Sequence, residues 1–315
     1  MSDLLPDNTE SPYTRHPLLS LLLILLMVGL GFVIVGPMIG FLFAMPFYDG
    51  SMMDLLEDMQ AVNDPAIKVP LYITQGFATL IGLIVAPMLF LRGDNKSLKT
   101  LFPPRKTEFL PLILTIILVV VFMGVNSIFI EWNSSFEFPD FAKGFEAWAR
   151  EKEEIAAEMT TFLTHFDSVL QVVIALVVIA ILPAIGEEIV FRGIIQNLIQ
   201  KLTHNYHISI WLAAILFSAI HFQFFGFVPR MLLGALFGYL YLWSGNIILP
   251  IVAHFVNNGF SVLALYFYQQ GAVDYNLESS EALPANVLGI SLVVTTALLY
   301  YLYKYYQPKT FTNPL

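Results

Sequence analysis

Five ionisable side chains and one amide fall within stretches of the chain that are otherwise apolar. An ionisable group within a membrane-spanning helix is costly to bury, so it marks a functional site by default. The six residues are Glu187, Glu188, Arg192, His221, His254 and Asn258. They lie on three separate apolar stretches, so they can form one site only if these stretches pack together.

The spacing of these residues places several of them on shared helical faces. Glu188 and Arg192 are four residues apart, which lets a carboxylate and a guanidinium pair on one face of a helix. The adjacent Glu187 points about 100° away from that face. His254 and Asn258 are also four residues apart, so both can face the same point.

Together, these residue types could hydrolyse a peptide bond within a membrane. The reaction needs an activated water, a base, and hydrogen-bond donors for the developing oxyanion. A buried carboxylate, either Glu187 or Glu188, can serve as the base. The side chains of His221, His254 and Asn258 offer N–H groups suited to an oxyanion in a water-poor site.

The same residues leave a metal-assisted scheme open. Glu187, His221 and His254 could bind one Zn²⁺ and keep a free position for water. The sequence alone does not separate this scheme from direct activation of water by glutamate. Other protease types are excluded, because the chain has no cysteine, no H-E-x-x-H or G-x-S-x-G motif, and no aspartate within a predicted span.

The composition indicates that these residues belong to a polytopic membrane protein. Of the 315 residues, 57% are hydrophobic and only 12% are charged, whereas about 25% are charged in soluble domains. The net charge of −9 argues against nucleic acid as a partner. We therefore expect an all-α helix bundle with about eight transmembrane helices, surrounded by membrane lipid and enclosing a polar cavity at mid-membrane.

Apolar stretches of about 20 residues, the length that crosses a bilayer, define the expected spans. They cover 18–43, 71–91, 109–130, 169–203, 208–224, 230–245, 247–268 and 286–304. Measured from the predicted cytoplasmic ends, Glu187, His221 and Asn258 lie about 24, 21 and 18 Å deep. His254 lies about 12 Å deep. These depths are close enough for the side chains to share one cavity.

Glycine positions add two expectations about the helices. The first span should bend near Gly36, Pro37 and Gly40. Gly234 and Gly238 form a small-xxx-small spacing that is typical of closely packed transmembrane helices.

The distribution of charge between the loops predicts the orientation. One side of the bundle holds nine basic and five acidic residues, and the opposite side holds five basic and 17 acidic residues. Basic residues favour the cytoplasmic side, so we expect both termini there. The expected location is a bacterial cytoplasmic (inner) membrane.

Three short motifs resemble those of the CPBP family, which comprises CAAX proteases and bacteriocin-processing enzymes. Residues 187–192 fit E-E-x-x-x-R, residues 217–221 fit F-x-x-x-H, and residues 254–258 fit H-x-x-x-N. Their order, with each motif on its own span, is similar to that of type II CAAX prenyl endopeptidases and their bacterial, Abi-like relatives. The resemblance covers about residues 169–268.

The resemblance implies a role for each motif position. Glu187 would activate the water together with His221, and His254 and Asn258 would hold the oxyanion. The implied catalytic type is a metalloendopeptidase or a glutamate-dependent enzyme. The supporting residues would be Glu188, Arg192, Asn257 and Phe217.

The chain accordingly divides into four regions. Residues 1–130 hold the N-terminal tail and three transmembrane helices, and 131–168 form an extracytoplasmic loop. Within that loop we expect an amphipathic helix over Phe141–Phe162 that lies at the membrane interface. Residues 169–268 form the CPBP-like catalytic core, and 269–315 hold the last transmembrane helix and a cytoplasmic tail.

The expected function is that of an intramembrane endopeptidase that cleaves a membrane-associated protein or peptide, which could carry a lipid. One alternative is a non-proteolytic membrane scaffold or immunity protein of the same family. The other is a proton-coupled transporter, because acidic groups and histidines at mid-depth also serve proton transfer. A transporter predicts polar residues strung across several depths, and the sequence shows no internal repeat of the transporter kind.

Overall fold

The computed structural model describes residues 15–62, 64–273 and 281–311, and all regular structure in these ranges is helical. The prediction of an all-α helix bundle is therefore confirmed. Parts of the predicted terminal tails, residues 1–14 and 312–315, lie outside the described residues.

The described residues form eleven helices. They are α1 (Pro17–Phe47), α2 (Met52–Ala61), α3 (Pro65–Arg92), α4 (Leu98–Leu101), α5 (Phe109–Ser134), α6 (Lys143–Thr164), α7 (Val169–Thr203), α8 (Tyr206–Ala219), α9 (Phe224–Ser244), α10 (Ile248–Gln269) and α11 (Ala285–Phe311).

Seven of these helices, rather than eight, are long and apolar enough to cross a membrane within the described part of the chain: α1, α3, α5, α7, α9, α10 and α11. The apolar helix α8 has only 14 residues. Its length of about 21 Å falls short of the bilayer core of about 30 Å.

The predicted span over 208–224 is wrong in its extent, because the helix ends at Ala219. Phe222 has a φ of 54°, in the left-handed region, so the chain reverses there. The turn is built from apolar residues, and a hydropathy pattern cannot distinguish it from a continuing helix. As a result, His221 lies just beyond the end of α8 and not within a transmembrane helix.

The predicted span over 230–245 is also wrong at its start. The structure begins this helix at Phe224, and Arg230 lies within it. Pro229 stands in the first α-helical turn, where a missing backbone N–H leaves no hydrogen bond unmade. The predicted span therefore left out residues 224–229 and placed Arg230 at its end, whereas the helix begins six residues earlier.

Three of the long helices contain a π-helical turn that ends shortly before a proline. A proline cannot donate the usual backbone hydrogen bond, and wider π turns are one way in which a helix accommodates such a break. The pairs are Gly31–Val35 with Pro37, Leu80–Val85 with Pro87, and Leu176–Ile181 with Pro183. The first pair occupies the region of α1 where a bend is predicted.

Close backbone packing joins α1, α3 and α7. A Cβ atom added to Gly36 of α1 would lie 2.6 Å from Cα of Ala78 in α3. A Cβ atom added to Gly186 of α7 would lie 2.6 Å from Cβ of Leu83. These glycines let α3 pack against both neighbours, and Gly186 directly precedes the two glutamates of the first motif.

The helices α8 and α9 form an antiparallel pair that is similarly close. A Cβ atom on Gly234 would lie 3.2 Å from Cα of Ala214, and one on Gly238 would lie 2.9 Å from a side-chain carbon of Ile210. This agrees with the close packing predicted from the spacing of the two glycines.

The amphipathic helix predicted over Phe141–Phe162 is present as α6, Lys143–Thr164. Phe145 and Trp148 expose 46% and 41% of their surface. Ala149 of the same helix is fully buried. The exposed aromatic side chains fit the predicted position at a membrane interface, which stays a prediction.

Candidate active site

A cavity of about 1080 Å³ opens among α5, α7, α9, α10, α11 and the turn after α8. Six of the eight residues predicted for the site line it: Glu187, Phe217, His221, His254, Asn257 and Asn258. The remaining lining is mostly aliphatic and aromatic. Glu188 and Arg192 do not line the cavity, so the structure separates the predicted residues into a cavity-facing set and a pair behind it.

The pair behind the cavity is a buried ion pair. Arg192 Nη1 donates to Glu188 Oε1 at 2.7 Å, and the two residues are 1% and 0% exposed. Arg192 Nη2 donates to the carbonyl oxygen of Gly234 at 2.9 Å. The guanidinium thereby joins α7 to α9, and its charge is compensated in a place that water does not reach.

Aromatic rings enclose the same guanidinium. The central carbon of Arg192 lies 4.8 Å from the ring centroid of Phe217 and 5.4 Å from that of Phe237. These distances are in the range of cation–π contacts. Phe217 therefore packs against the guanidinium of the ion pair, and its predicted supporting role stays a prediction.

His254 of α10 connects the two sets. Its Nδ1 lies 2.8 Å from Glu188 Oε1, and its Nε2 lies 3.8 Å from Glu187 Oε2. The imidazole stacks on Phe237, with 5.3 Å between ring centroids. Glu188 and Phe237 thus fix the plane and the direction of the ring, and Nε2 points towards the glutamate that lines the cavity.

His221 lies in the turn after α8, and a local contact orients it. Its Nδ1 is 2.8 Å from the carbonyl oxygen of Phe217. A carbonyl only accepts hydrogen bonds, so Nδ1 carries the proton, and Nε2 of the neutral ring can accept one. His221 is thereby set up as a hydrogen-bond acceptor at the cavity.

The two asparagines of the third motif are bonded to each other and to α7. Asn257 Nδ2 donates to Asn258 Oδ1 at 3.1 Å, and Asn258 Nδ2 donates to the carbonyl oxygen of Ile179 at 3.2 Å. A side-chain amide has two N–H groups, so Asn258 keeps a second one for another acceptor. Asn257 thereby holds the Asn258 amide in place, and its predicted supporting role stays a prediction.

Sequence reasoning missed Arg230, which lines the cavity. The predicted span over 230–245 begins at this residue, so Arg230 counts among the five basic residues predicted for the side opposite the cytoplasm. Its Nη2 donates to Gln223 Oε1 at 2.8 Å. The sequence did hold one indication of its position. Arg230 lies four residues before Gly234, on the face of α9 for which the glycine spacing predicts close packing.

Glu153 of α6 is a second residue that the sequence did not single out. Its carboxylate accepts from Gln223 Nε2 at 3.3 Å and from the backbone N–H of Phe225 at 3.2 Å. Burial raises the pKa of Glu153, while the charge of Arg230 and the Phe225 N–H act in the opposite direction. Through these contacts the amphipathic helix α6 is attached to the turn that carries His221.

The residues as placed do not form a metal site. No three His, Asp or Glu side chains in the described part of the chain converge so that they could hold a metal ion. The proposed ligands Glu187 and His254 approach each other, with 3.8 Å between Oε2 and Nε2. The prediction of a zinc ion stays a prediction, and the chemistry below is derived for the side chains themselves.

Comparison with known proteins agrees with the motifs. Residues 169–260 match the family model described as "Type II CAAX prenyl endopeptidase Rce1-like". The resemblance predicted from the three motifs is confirmed over this part of the chain.

One curated relative matches this chain over a similar number of residues. The uncharacterized protein YpbD of Bacillus subtilis (strain 168) is 32% identical over 85 residues, which cover 26% of this chain. The match covers 40% of the length of YpbD. No solved structure matches the chain.

Proposed function

We propose that this chain, which resembles type II CAAX prenyl endopeptidases over residues 169–260, is an intramembrane endopeptidase. It hydrolyses a peptide bond of a membrane-associated protein or peptide. The observation that supports this most directly is that Glu187, His221, His254 and Asn258 line a single cavity. These four residues come from three segments of the chain, and together they provide a base, acceptors and donors.

Glu187 and His221 activate the attacking water in this scheme. The Glu187 carboxylate takes a proton from the water, whose oxygen attacks the carbonyl carbon of the scissile bond. His221 Nε2 accepts a hydrogen bond from the other water hydrogen, because Nδ1 is committed to the carbonyl oxygen of Phe217. Two acceptors orient the water and leave one of its lone pairs directed at the substrate.

His254 and Asn258 stabilise the oxyanion that forms on the substrate carbonyl. In this scheme the His254 ring carries a proton on each nitrogen: Nδ1–H donates to Glu188 Oε1, and Nε2–H, which lies 3.8 Å from Glu187 Oε2 and so makes no hydrogen bond to it, donates to the oxyanion. With that form, the charges of Glu187, Glu188, Arg192 and His254 sum to zero, which favours burial of the cluster. The second N–H of the Asn258 amide is the other donor.

Collapse of the tetrahedral intermediate completes the reaction. The carbon–nitrogen bond breaks, and the leaving amine takes the proton that Glu187 received from the water. Glu187 returns to its ionised form, and the products are a carboxylic acid and an amine. The acid then passes its proton to the amine, so the products leave as a carboxylate and an ammonium group. The Glu188–Arg192 pair takes no proton in this sequence, and it acts by fixing His254.

The lining of the cavity favours an apolar substrate segment. Its walls are mostly aliphatic and aromatic, and its volume of about 1080 Å³ exceeds that of most small-ligand pockets. A stretch of membrane-inserted peptide, with or without an attached lipid, has matching chemistry. We propose that the protein is a multi-pass protein of the bacterial inner membrane with both termini in the cytoplasm, as the loop charges predict.

Quantitative proteomics of membrane-protein termini tests this function. Cells that express the protein are compared with cells that express Glu187→Gln, which removes the base and retains the shape. New termini that depend on Glu187 support the proposal and identify the substrate. The exposed Glu154 of α6 provides a matched control, since Glu154→Gln removes the same charge outside the cavity. Identical termini with the active protein and with Glu187→Gln would favour the scaffold or immunity alternative.

Dialysis against a strong chelator, followed by metal analysis and an assay of cleavage, tests how the water is activated. Loss of activity that Zn²⁺ restores would assign Glu187 and the two histidines to a metal. Activity that persists in metal-depleted protein would assign the base directly to the glutamate.

A further inference from the structure

Arg230 lines the cavity and has an unused hydrogen-bond donor. It is the only lysine or arginine among the described residues that line it. Its Nη2 donates to Gln223 Oε1 at 2.8 Å. Its Nη1 is buried and has no hydrogen-bond partner among the described residues.

Contacts with Gln223 hold the guanidinium in a fixed direction. Gln223 accepts from Arg230 and donates to Glu153 Oε1 at 3.3 Å. Glu153 is itself fixed by the backbone N–H of Phe225 at 3.2 Å. These contacts orient the guanidinium of Arg230, while its Nη1 has no hydrogen-bond partner among the described residues.

A buried N–H without an acceptor costs free energy, and more so on a charged group. Arg192 shows how this chain otherwise treats a buried guanidinium, because it donates both to Glu188 and to the carbonyl oxygen of Gly234. Arg230 differs in that it lines a cavity large enough for a substrate. The missing acceptor is therefore one that a ligand can supply.

A carboxylate is the acceptor whose geometry and charge suit a guanidinium best. The other charged lining residues are Glu187 and Glu281, and both are acids. Glu187 is the base of the proposed reaction, and Glu281 is exposed. A substrate carboxylate would thus be drawn towards Arg230 and away from the two acids, which also sets the orientation of the peptide.

We propose that Arg230 forms a subsite for a carboxylate of the substrate. The carboxylate is either the C-terminus of the peptide or an acidic side chain close to the scissile bond. The inference rests on the proposed function, which it deepens by naming a charged group that the substrate carries. Arg230 is a specificity-determining residue here and takes no part in the transfer of protons.

Binding without turnover tests the subsite independently of protease activity. The probes are three dansyl-labelled peptides: Gly-Phe-Leu-Val-Ala-Phe with a free C-terminus, the same peptide with a C-terminal amide, and an amidated form with Glu as its fifth residue. Affinities are measured by fluorescence with purified full-length protein in detergent, in the Glu187→Gln background, which prevents cleavage.

We expect the free-acid peptide to bind roughly ten-fold more tightly than the amide, as for one charged hydrogen bond. In the Arg230→Gln variant this preference is lost. Arg230→Lys keeps the positive charge but lacks the paired N–H groups of the guanidinium, so it should retain part of the preference for the free-acid peptide. It serves as the second variant if Arg230→Gln does not fold. Arg92→Gln, which removes an exposed arginine outside the cavity, keeps the full preference.

The third peptide separates the two sources of the carboxylate. Tight binding of the amidated Glu peptide assigns the subsite to an acidic side chain, and weak binding assigns it to the C-terminus. Equal affinities for all three peptides, whether all bind or none does, would overturn the subsite. So would a preference that Arg230→Gln leaves intact. A preference that depends on Arg230 in a protein that cleaves nothing would keep the subsite and refute the protease.

Discussion

His254 Nδ1 lies 2.8 Å from Glu188 Oε1, although the two residues are separated by 66 positions in the chain. The same carboxylate oxygen accepts from Arg192 at 2.7 Å. One buried oxygen atom thus orients a histidine at the cavity and compensates an arginine behind it. Glu187, the neighbouring glutamate, lines the cavity instead. The two consecutive glutamates therefore have different tasks, and the backbone of α7 separates them.

Glu188→Gln is expected to destabilise the protein. The variant leaves Arg192 as a buried cation without an anionic partner, and breaking a buried pair in this way costs about 3–5 kcal/mol. Thermal unfolding in detergent, followed by circular dichroism, measures the loss. Glu154→Gln, at an exposed position of α6, should leave the unfolding temperature unchanged. Equal unfolding temperatures for the two variants would show that the pair does not stabilise the fold.

Replacing both members of the pair separates stability from function. The double variant Glu188→Leu/Arg192→Met has apolar side chains in place of the two charges, and such replacements are often neutral or stabilising. We expect it to unfold at a higher temperature than Glu188→Gln. Cleavage of the substrate found by terminal proteomics should still be lost, because His254 Nδ1 has no acceptor and the ring is no longer oriented. A fully active double variant would refute the positioning role of Glu188.

The grouping of these residues around one cavity was partly predictable from the sequence, because the first and third motifs lie within helices and the second lies at the end of one. The i,i+4 relation of Glu188 and Arg192 is enough to predict their pairing. It also places Glu187 on a different face, and the structure shows this division. The close packing at Gly186 was similarly predictable, because a glycine directly before a buried motif indicates that another element approaches it.

The turn after α8 could not be predicted in the same way. Phe222, Phe224 and Phe225 continue the apolar run, so hydropathy extends the helix through a reversal that the backbone makes at Phe222. The position of Arg230 was lost for a related reason, because its environment depends on Gln223 and on Glu153, which is 77 positions earlier in the chain. Contacts of this kind depend on how the helices assemble, and local patterns do not encode them.

Gly186→Ala is expected to destabilise the contact between α7 and α3. The added methyl group would lie 2.6 Å from Cβ of Leu83, so the helices must separate. Such overpacking costs about 1–3 kcal/mol, measured by thermal unfolding in detergent. Gly289→Ala in α11 is the matched control, since its added Cβ meets no atom within 4 Å. The control should be neutral or slightly stabilising because alanine favours a helix, and an equal loss in both variants would contradict the packing argument.

Acid is expected to weaken the start of α6 through Glu146. Hydrogen bonds from Lys143 and Arg150 lower the pKa of this carboxyl from 4.5 to about 2. Its folded-state pKa is therefore below its unfolded-state pKa, so its contribution is complete above about pH 4.5 and is lost as the pH falls towards about 2. Trp148 lies on the same helix and reports its unfolding by fluorescence once Trp132, Trp211 and Trp243 are replaced by Phe. The urea midpoint of this signal should fall between pH 7 and pH 3, and the fall should be smaller in Glu146→Gln than in Glu154→Gln. Equal pH dependence in the two variants would show that the ion pairs of Glu146 do not stabilise α6.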